Sequence, residues 1–351
     1  MSKHALRATI HDVAKKAGVS SATASRVLSG ANYPVSDSAR TRIIQAAKLL
    51  NYRTDAIGQI KQTHPSQEIG LILPNISNPF YAELYNGIET ASKQYGFQIS
   101  LCNSLRNEQR EREYFEALCQ RRVAGIILCT VTTNIAPLKK LKNEYNPHIV
   151  TLEQPIPELT IDHINLQNRR AAKEATAFLI QNGHKCIALI SGALQNHSRK
   201  EFLRGYRDGL SAAKIEHNQS LELFPNTENE LLNGDIFEFE NGKLLAAKMC
   251  SINPRPTAAL CINDITAAAV IQKLHELKIS VPDQISVMGL GNSAISRITS
   301  PELTTVNQSP FETGSRTVSM LINLITSGDT THDTISIEPH IIVRGSVKKL
   351  N

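Results

Sequence analysis

At 351 residues with 41% hydrophobic side chains, the chain is long and apolar enough for two or three domains, which excludes a disordered protein. Its formal net charge of +6 is uneven: residues 1–65 carry 10 Lys+Arg against 3 Asp+Glu, a net +7, leaving 28 against 29 for the remainder. A small cationic module on a near-neutral body suggests a polyanionic partner, because each Lys or Arg set on a phosphate adds salt-sensitive affinity.

The first stretch with pattern, Thr9 to Leu28, reads as two short helices. Ile10, Val13, Ala14 and Ala17 fall on one helical face and Lys15 and Lys16 on the other. Gly18 suits a helix end at positive φ, and Ser20 suits the N-cap of a second helix about four residues on. In that helix Ser21, Ala22, Ser25 and Arg26 share one side, while Ala24, Val27 and Leu28 share the other. A helix-turn-helix of this kind fits a major groove, with Arg26 able to fork onto a guanine edge and Ser21 at the helix start. Taken alone, such a stretch is more often a helical hairpin with a solvated basic face; the rest of the chain shifts the reading to DNA binding.

Ser36 then caps a third expected helix, whose Ile43, Ile44, Ala47 and Leu50 form the stripe that closes the headpiece. The segment RTDAIGQIKQTHPSQ is polar, contains Gly58 and ends near Pro65. It reads as a linker with a short helix over 54–61, too short to stand alone in water. From Glu68 the chain alternates strand and helix: EIGLILP, FYAELYNGIETASKQYG, FQISLC, EQREREYFEALCQRR, VAGIILC, HIVTLE. The alternation pauses near Pro155 to Asp162, restarts at RRAAKEATAFLIQ and runs to DQISVMGL, with a late helix and closing strands at SIEP and HIIVR. The body is therefore expected to be α/β, two doubly wound parallel-sheet subdomains facing each other across a cleft at their strand carboxyl ends.

The six cysteines, Cys102, Cys119, Cys129, Cys186, Cys250 and Cys261, show no C-x-x-C spacing and mostly sit in apolar runs. They read as reduced core residues of a cytoplasmic protein. The start MSKHALRATI has no apolar signal core, and no run of about 18 apolar residues occurs, so neither export nor a membrane partner is expected. No nucleotide-binding glycine motif, nucleophile elbow or metal-ligand spacing appears, so neither enzyme activity, a cofactor nor a metal is expected.

Six motifs in order make the chain resemble the lactose-repressor/galactose-repressor (LacI/GalR) family of bacterial transcription factors, from about Thr9 to Arg344. They are TIxDVAxxAGVSxxTxSRVL, PNISNPFY at 74–81, GHxxIALISG at 183–192, ND at 263–264, DxISVxG at 283–289 and PxLTTV at 301–306. The resemblance implies a homodimer or a tetramer on a pseudo-palindromic double-stranded DNA operator. It also implies a headpiece over 1–53, a hinge helix and linker over 54–66, and a periplasmic-binding-protein-like effector and dimerisation domain over 67–351. Within that domain the expected N-subdomain covers about 67–163 and 294–325, and the C-subdomain about 164–293 and 326–345.

Ser21, Ala22 and Arg26 match the family's main groove positions. Thr9, Ser20, Thr23, Ser25 and Ser36 are expected beside them, with Tyr52, Ile57, Ile60 and Lys61 from the hinge. Lys61 stands where a leucine usually wedges into the minor groove; either Ile60 takes that role or Lys61 acts electrostatically and the DNA bends less. By the same resemblance Asn75, Phe80, Tyr81, Cys129, Glu153, Asp264 and Leu290 line the effector cleft. Phe202 stands where an arginine commonly grips the effector, with Lys200 or Arg199 as substitutes, and the usual GFDD is here Gly289-Leu-Gly-Asn292. Carboxylates beside aromatics suit a sugar. The expected function is thus repression of a carbohydrate-utilisation operon under a neutral mono- or disaccharide. Behind it stand a sugar phosphate, a phosphoprotein partner, and a sugar-binding protein without DNA function.

Overall fold

Local signals set the ends of the first helices. Thr9 and Asp12 form a reciprocal capping box at α1 (Ile10–Ala17), and Gly18, at φ 66, ends it in the left-handed conformation. Ser20 accepts from the Thr23 amide (3.1 Å) ahead of α2 (Ser21–Leu28), and Ser36 accepts from the Ala39 amide (3.4 Å) ahead of α3 (Asp37–Leu49). Val13, Ala14, Ala17, Ala24, Val27, Ile43, Ala46 and Ala47 make one small core. Ile44, expected in that core, is 42% exposed; the inward stripe of α3 runs through Ile43, Ala46, Ala47 and Leu50 instead, at the i, i+3, i+4, i+7 spacing of one helical face.

The computed structural model describes residues 9–28, 34–50, 66–130, 132, 134–225, 237–327 and 332–350, and the chain divides into two units, Met1–Ser66 and Gln67–Asn351. The expected hinge residues Tyr52, Ile57, Ile60 and Lys61 lie outside the described residues.

In the second unit, apolar runs four to six residues long become strands. The first sheet holds β1 (Glu68–Leu73), β2 (Gln98–Asn103), β3 (Gly125–Leu128), β4 (Ile149–Leu152) and β5 (Asp162–Asn165), in the order β5-β4-β3-β1-β2 and parallel throughout. Helix α4 (Pro79–Gln94) covers one face. Helices α5 (Glu108–Gln120) and α6 (Ala136–Tyr145) cover the other, so the sheet is buried on both sides as its continuous apolar strands require. The second half repeats the plan. After α7 (Asn168–Gln181) come β6 (Ile187–Ile190), α8 (His197–Ala212), β7 (Glu222–Leu223), α9 (Phe237–Cys250), β8 (Ala258–Cys261), α10 (Asp264–Glu276) and β9 (Ser286–Gly291). Helices α7 and α8 pack on one face of that sheet and α9 and α10 on the other.

The chain then returns through short α11 (Ile295–Ile298), β10 (Thr304–Asn307), α12 (Pro310–Ser327), β11 (Thr334–Ser336) and β12 (His340–Ile342). Strand pairing corrects the subdomain boundaries read from sequence. Strand β5 joins β4, β10 joins β9 and β11 joins β5, while β12 runs antiparallel to β10. Residues 294–307 thus belong with the second half and 334–336 with the first. Segments of three or four residues carry no periodicity that names a sheet; the free edge they meet decides. DHIN carries no strand signal because three of its four residues are polar, yet Asp162 accepts from the Asp333 amide (3.1 Å) and His163 bonds Thr151 (3.1 Å), so both bury as strand residues. Among the described residues no helix is long and apolar enough to cross a membrane.

Candidate functional site

The first unit presents one polar edge. Ala22 and Arg26 are exposed on α2, with Ser21 and Ser25 half-buried beside them. Thr9, Ser20 and Ser36 stand at helix starts, where their hydroxyls accept capping amides, and the Thr23 hydroxyl bonds that of Ser20 (2.8 Å). Their first role is therefore to fix helix ends, which orients the Ala22 and Arg26 face. Ser21 is oriented from α1: its Oγ lies 3.2 Å from His11 Nδ1.

In the second unit the strand carboxyl ends of both sheets face one cavity. The first half contributes Asn78, Phe80 and Tyr81 from the start of α4, Arg106 from the loop after β2, and Glu153 from the end of β4. The second half contributes Asn196, Ser198 and Arg199 from the start of α8, Glu238 from α9, and Ile262, Asn263 and Leu290 from the ends of β8 and β9. Leu166, Asn168 and Gln308 line it where the chain crosses between halves.

Two of these positions and two residues beside the wall sit on left-handed backbone without glycine. Leu105 and Arg106 (φ 51 and 57), Glu153 (φ 64) and Gln167 (φ 49) follow strand ends at the cavity. Such residues cost roughly 1–3 kcal/mol each and persist where the surroundings over-determine them. At Arg106 the amide bonds Pro74 O (2.9 Å), and the strained turn aims the guanidinium across to the other half.

There it pairs with Glu238 Oε1 (2.6 Å), while Asn78 Nδ2 donates to Glu238 Oε2 (2.7 Å) and Asn78 Oδ1 caps the Phe80 amide (3.0 Å). On the other side Glu153 accepts from the Tyr81 hydroxyl (2.7 Å) and from Ser198 of the second half (3.0 Å). Burial pushes the Tyr81 hydroxyl far above its ordinary range, with the Glu153 charge adding to the effect, so it remains a donor. Phe80 and Tyr81 meet edge to face, centroids 5.4 Å apart at 86°. Arg199 lies flat over Gly192, where a Cβ would come within 2.3 Å of the guanidinium carbon, and donates to Ala193 O (2.9 Å).

Residues 9–55 match the family model for bacterial regulatory proteins of the lacI family, and residues 176–347 match the periplasmic binding protein-like domain. A relative named HTH-type transcriptional repressor PurR, from Histophilus somni (strain 2336), is 32% identical over 344 residues, covering 98% of this chain and 100% of its own. The PurR of Vibrio parahaemolyticus serotype O3:K6 is 30% identical over 346 residues, with 98% and 100% covered. The chain belongs to the lacI family of bacterial regulatory proteins. A solved complex of the transcriptional regulator CelR with cellobiose superposes on this regulator with a TM-score of 0.71 at 26% identity, covering 97% of this chain and 100% of that one.

This lacI-family protein is thus a DNA-binding regulator with a ligand-binding body, and its cavity brings together only part of what sequence suggested. Phe80, Tyr81, Glu153 and Leu290 line it. Asn75 is buried outside the wall, its Oδ1 accepting from the Ser77 amide (3.0 Å). Cys129 lies in the core of the first half, where burial pushes its thiol well above the ordinary range. Phe202, one turn further along α8 than Arg199, is fully buried in the core between α8, α7 and the second sheet, and Lys200 is exposed outside the wall. Asp264 sits beneath the cavity: its carboxylate accepts from Ser293 N (2.7 Å), Ser293 Oγ (3.0 Å) and Thr305 Oγ1 (2.5 Å), fastening the turn after β9. Burial pushes it up to about 6 against the pull of those donors. Arg106 and Glu238 were missed, since neither belongs to a motif. Asn78 sat unread inside PNISNPFY, though an Asn before Pro at a helix start is a capping signal.

Proposed function

We propose that this regulator represses transcription in the cytoplasm by binding a pseudo-palindromic operator as a homodimer, and that a neutral sugar in the cleft sets its operator affinity. The observation that carries the effector class is the charge balance of the wall: two arginines, Arg106 and Arg199, stand against two glutamates, Glu153 and Glu238. Among the described residues the two signs balance, which disfavours a sugar phosphate. Five side-chain amides, two carboxylates and a serine around one aromatic pair form a surface for hydroxyl groups that both donate and accept. The likeness to a cellobiose-bound regulator supports the same class.

Arg26, Ala22 and Ser21 are assigned to base edges, and the basic residues around them to phosphates. Two copies related by a dyad would read two half-sites. The relatives named PurR make a purine-type ring the second reading, because a flat heterocycle could use the same amides and one aromatic face.

Thermal unfolding of the full-length protein with a panel of neutral sugars and of purine bases separates the two. Stabilisation by a sugar, together with a sugar-dependent change in binding to DNA from around its own gene, is the expected result. Stabilisation by a purine base and by none of the sugars would replace the sugar reading with the second.

A further inference from the structure

Among the described residues Glu238 is the one carboxylate of the cavity wall supplied by the second half, and both of its described donors come from the first. Its side chain is 7% exposed and that of Arg106 17%, so the pair is largely desolvated and its geometry is fixed by neighbours rather than by water. Asn78 is anchored twice over, because the same amide that donates to Glu238 also caps α4. Arg106 is carried on two successive left-handed residues. A carboxylate offers about four lone-pair directions, two per oxygen. Asn78 takes one on Oε2 and Arg106 one on Oε1, which among the described residues leaves one acceptor direction on each oxygen.

Resting on the sugar reading above, we propose that Glu238 is the specificity-determining residue of the cleft, accepting two hydroxyls of one ligand at once, so that the effector must carry a free pair of adjacent hydroxyls. The two oxygens of a carboxylate are spaced for two parallel hydrogen bonds, as in its bidentate pairing with arginine, and hydroxyls on neighbouring ring carbons meet that spacing. Arg106 and Asn78 behind the carboxylate polarise it and keep it from turning. Glu153 differs: its donors are the hydroxyls of Tyr81 and Ser198, which rotate, so it tolerates more than one ligand arrangement. Because Glu238 belongs to one half and its donors to the other, the acceptor pair is complete only when the two halves are together. Recognition of the diol and closure of the cleft then become one event.

The test uses the full chain and calorimetric titration with D-glucose, D-galactose, D-ribose, cellobiose, maltose and lactose, then the monodeoxy derivatives of whichever binds most tightly. A site built around a hydroxyl rejects the analogue that lacks it strongly, so removing either hydroxyl of one adjacent pair is expected to weaken binding by about 100-fold or more. In Glu238→Gln, where one acceptor becomes a donor, the parent sugar should weaken while the discrimination against those two deoxy derivatives collapses to within about threefold. Glu153→Gln should retain it. Asn78→Ser, which keeps the helix cap and deletes the donor to Glu238, gives a second route should Glu238→Gln fail to fold; it should lower parent affinity and narrow the same discrimination. If no sugar of the panel binds, the sugar reading fails and this inference with it. If a sugar binds and Glu238→Gln keeps the full deoxy discrimination, or no adjacent pair matters, the assignment of Glu238 is overturned while the sugar reading stands.

Discussion

The two ends of this regulator place their working side chains in opposite ways. On the headpiece the assigned groups are neighbours in sequence, on one face of α2, and Ala22 and Arg26 are exposed. In the cleft they come from nine separate segments, all are buried or half-buried, and the polar ones are largely bonded within the protein already. An exposed reader of a polyanion needs only a rigid helix that presents its charge to solvent. A binder of a small neutral ligand must exclude water and hold every polar group in place, which takes a tertiary frame. Substitutions at the exposed positions of α2 should therefore alter binding and spare stability, whereas those in the cleft should alter both.

The largest test is removal of residues 1–66. Sugar binding by the remaining body should stay within about twofold, and binding to DNA should vanish, since the net positive charge goes with the headpiece. Gel-shift and calorimetry on the truncated chain check both. DNA binding by the body alone would break the division of labour.

Next in size is Asp264, whose folded-state value of about 6 lies above its ordinary 3.8. The sign follows from linkage: the folded chain holds this proton more tightly, so the stability it contributes is full below about pH 4 and is lost as pH rises through 6. The difference in unfolding free energy between wild type and Asp264→Asn should shift by on the order of 2–3 kcal/mol from pH 4 to pH 7, in the sense that the wild type loses. His163, pushed down to about 4 chiefly by burial, works with the opposite sign over pH 6.5 to 4, but it is common to both proteins and cancels in the difference. Denaturant titrations of the body at several pH values measure this; a pH-independent difference would show that Asp264 stays ionised throughout.

Arg26→Ala should weaken binding to the specific operator by about 1–3 kcal/mol and barely change binding to unrelated duplex. Equal loss on both DNAs would make Arg26 a phosphate contact. The smallest effect is expected at Ser36→Ala, which removes the cap of α3 and should lower headpiece stability by about 0.5–2 kcal/mol, with operator affinity falling only as far as the fold does. A larger loss of DNA affinity than of stability would return Ser36 to the DNA surface.

The α/β texture of the body was legible because its strands are continuous apolar runs between amphipathic helices, and a sheet covered on both faces needs that pattern. The headpiece was legible because capping and helical spacing are local, as Thr9, Gly18, Ser20 and Ser36 show. Within the cleft, Phe80, Tyr81, Glu153 and Leu290 could be read from their motifs and Glu238 could not: it lies in the helical run FEFENGKLL, where a glutamate reads as a solvated residue. Only the packing of α9 against the loop after β2 and the start of α4 turns it inward, because a buried charge is tolerated solely where partners from elsewhere in the chain satisfy it. The same holds for Asp264, an apparent ligand group whose lone pairs go to Ser293 and Thr305, and for the short strands β5, β10 and β11, whose sheet was chosen by the nearest open edge. Sequence by itself determined what the local chain prefers; the tertiary structure decided which polar groups remain for a ligand, because that depends on partners far apart in sequence.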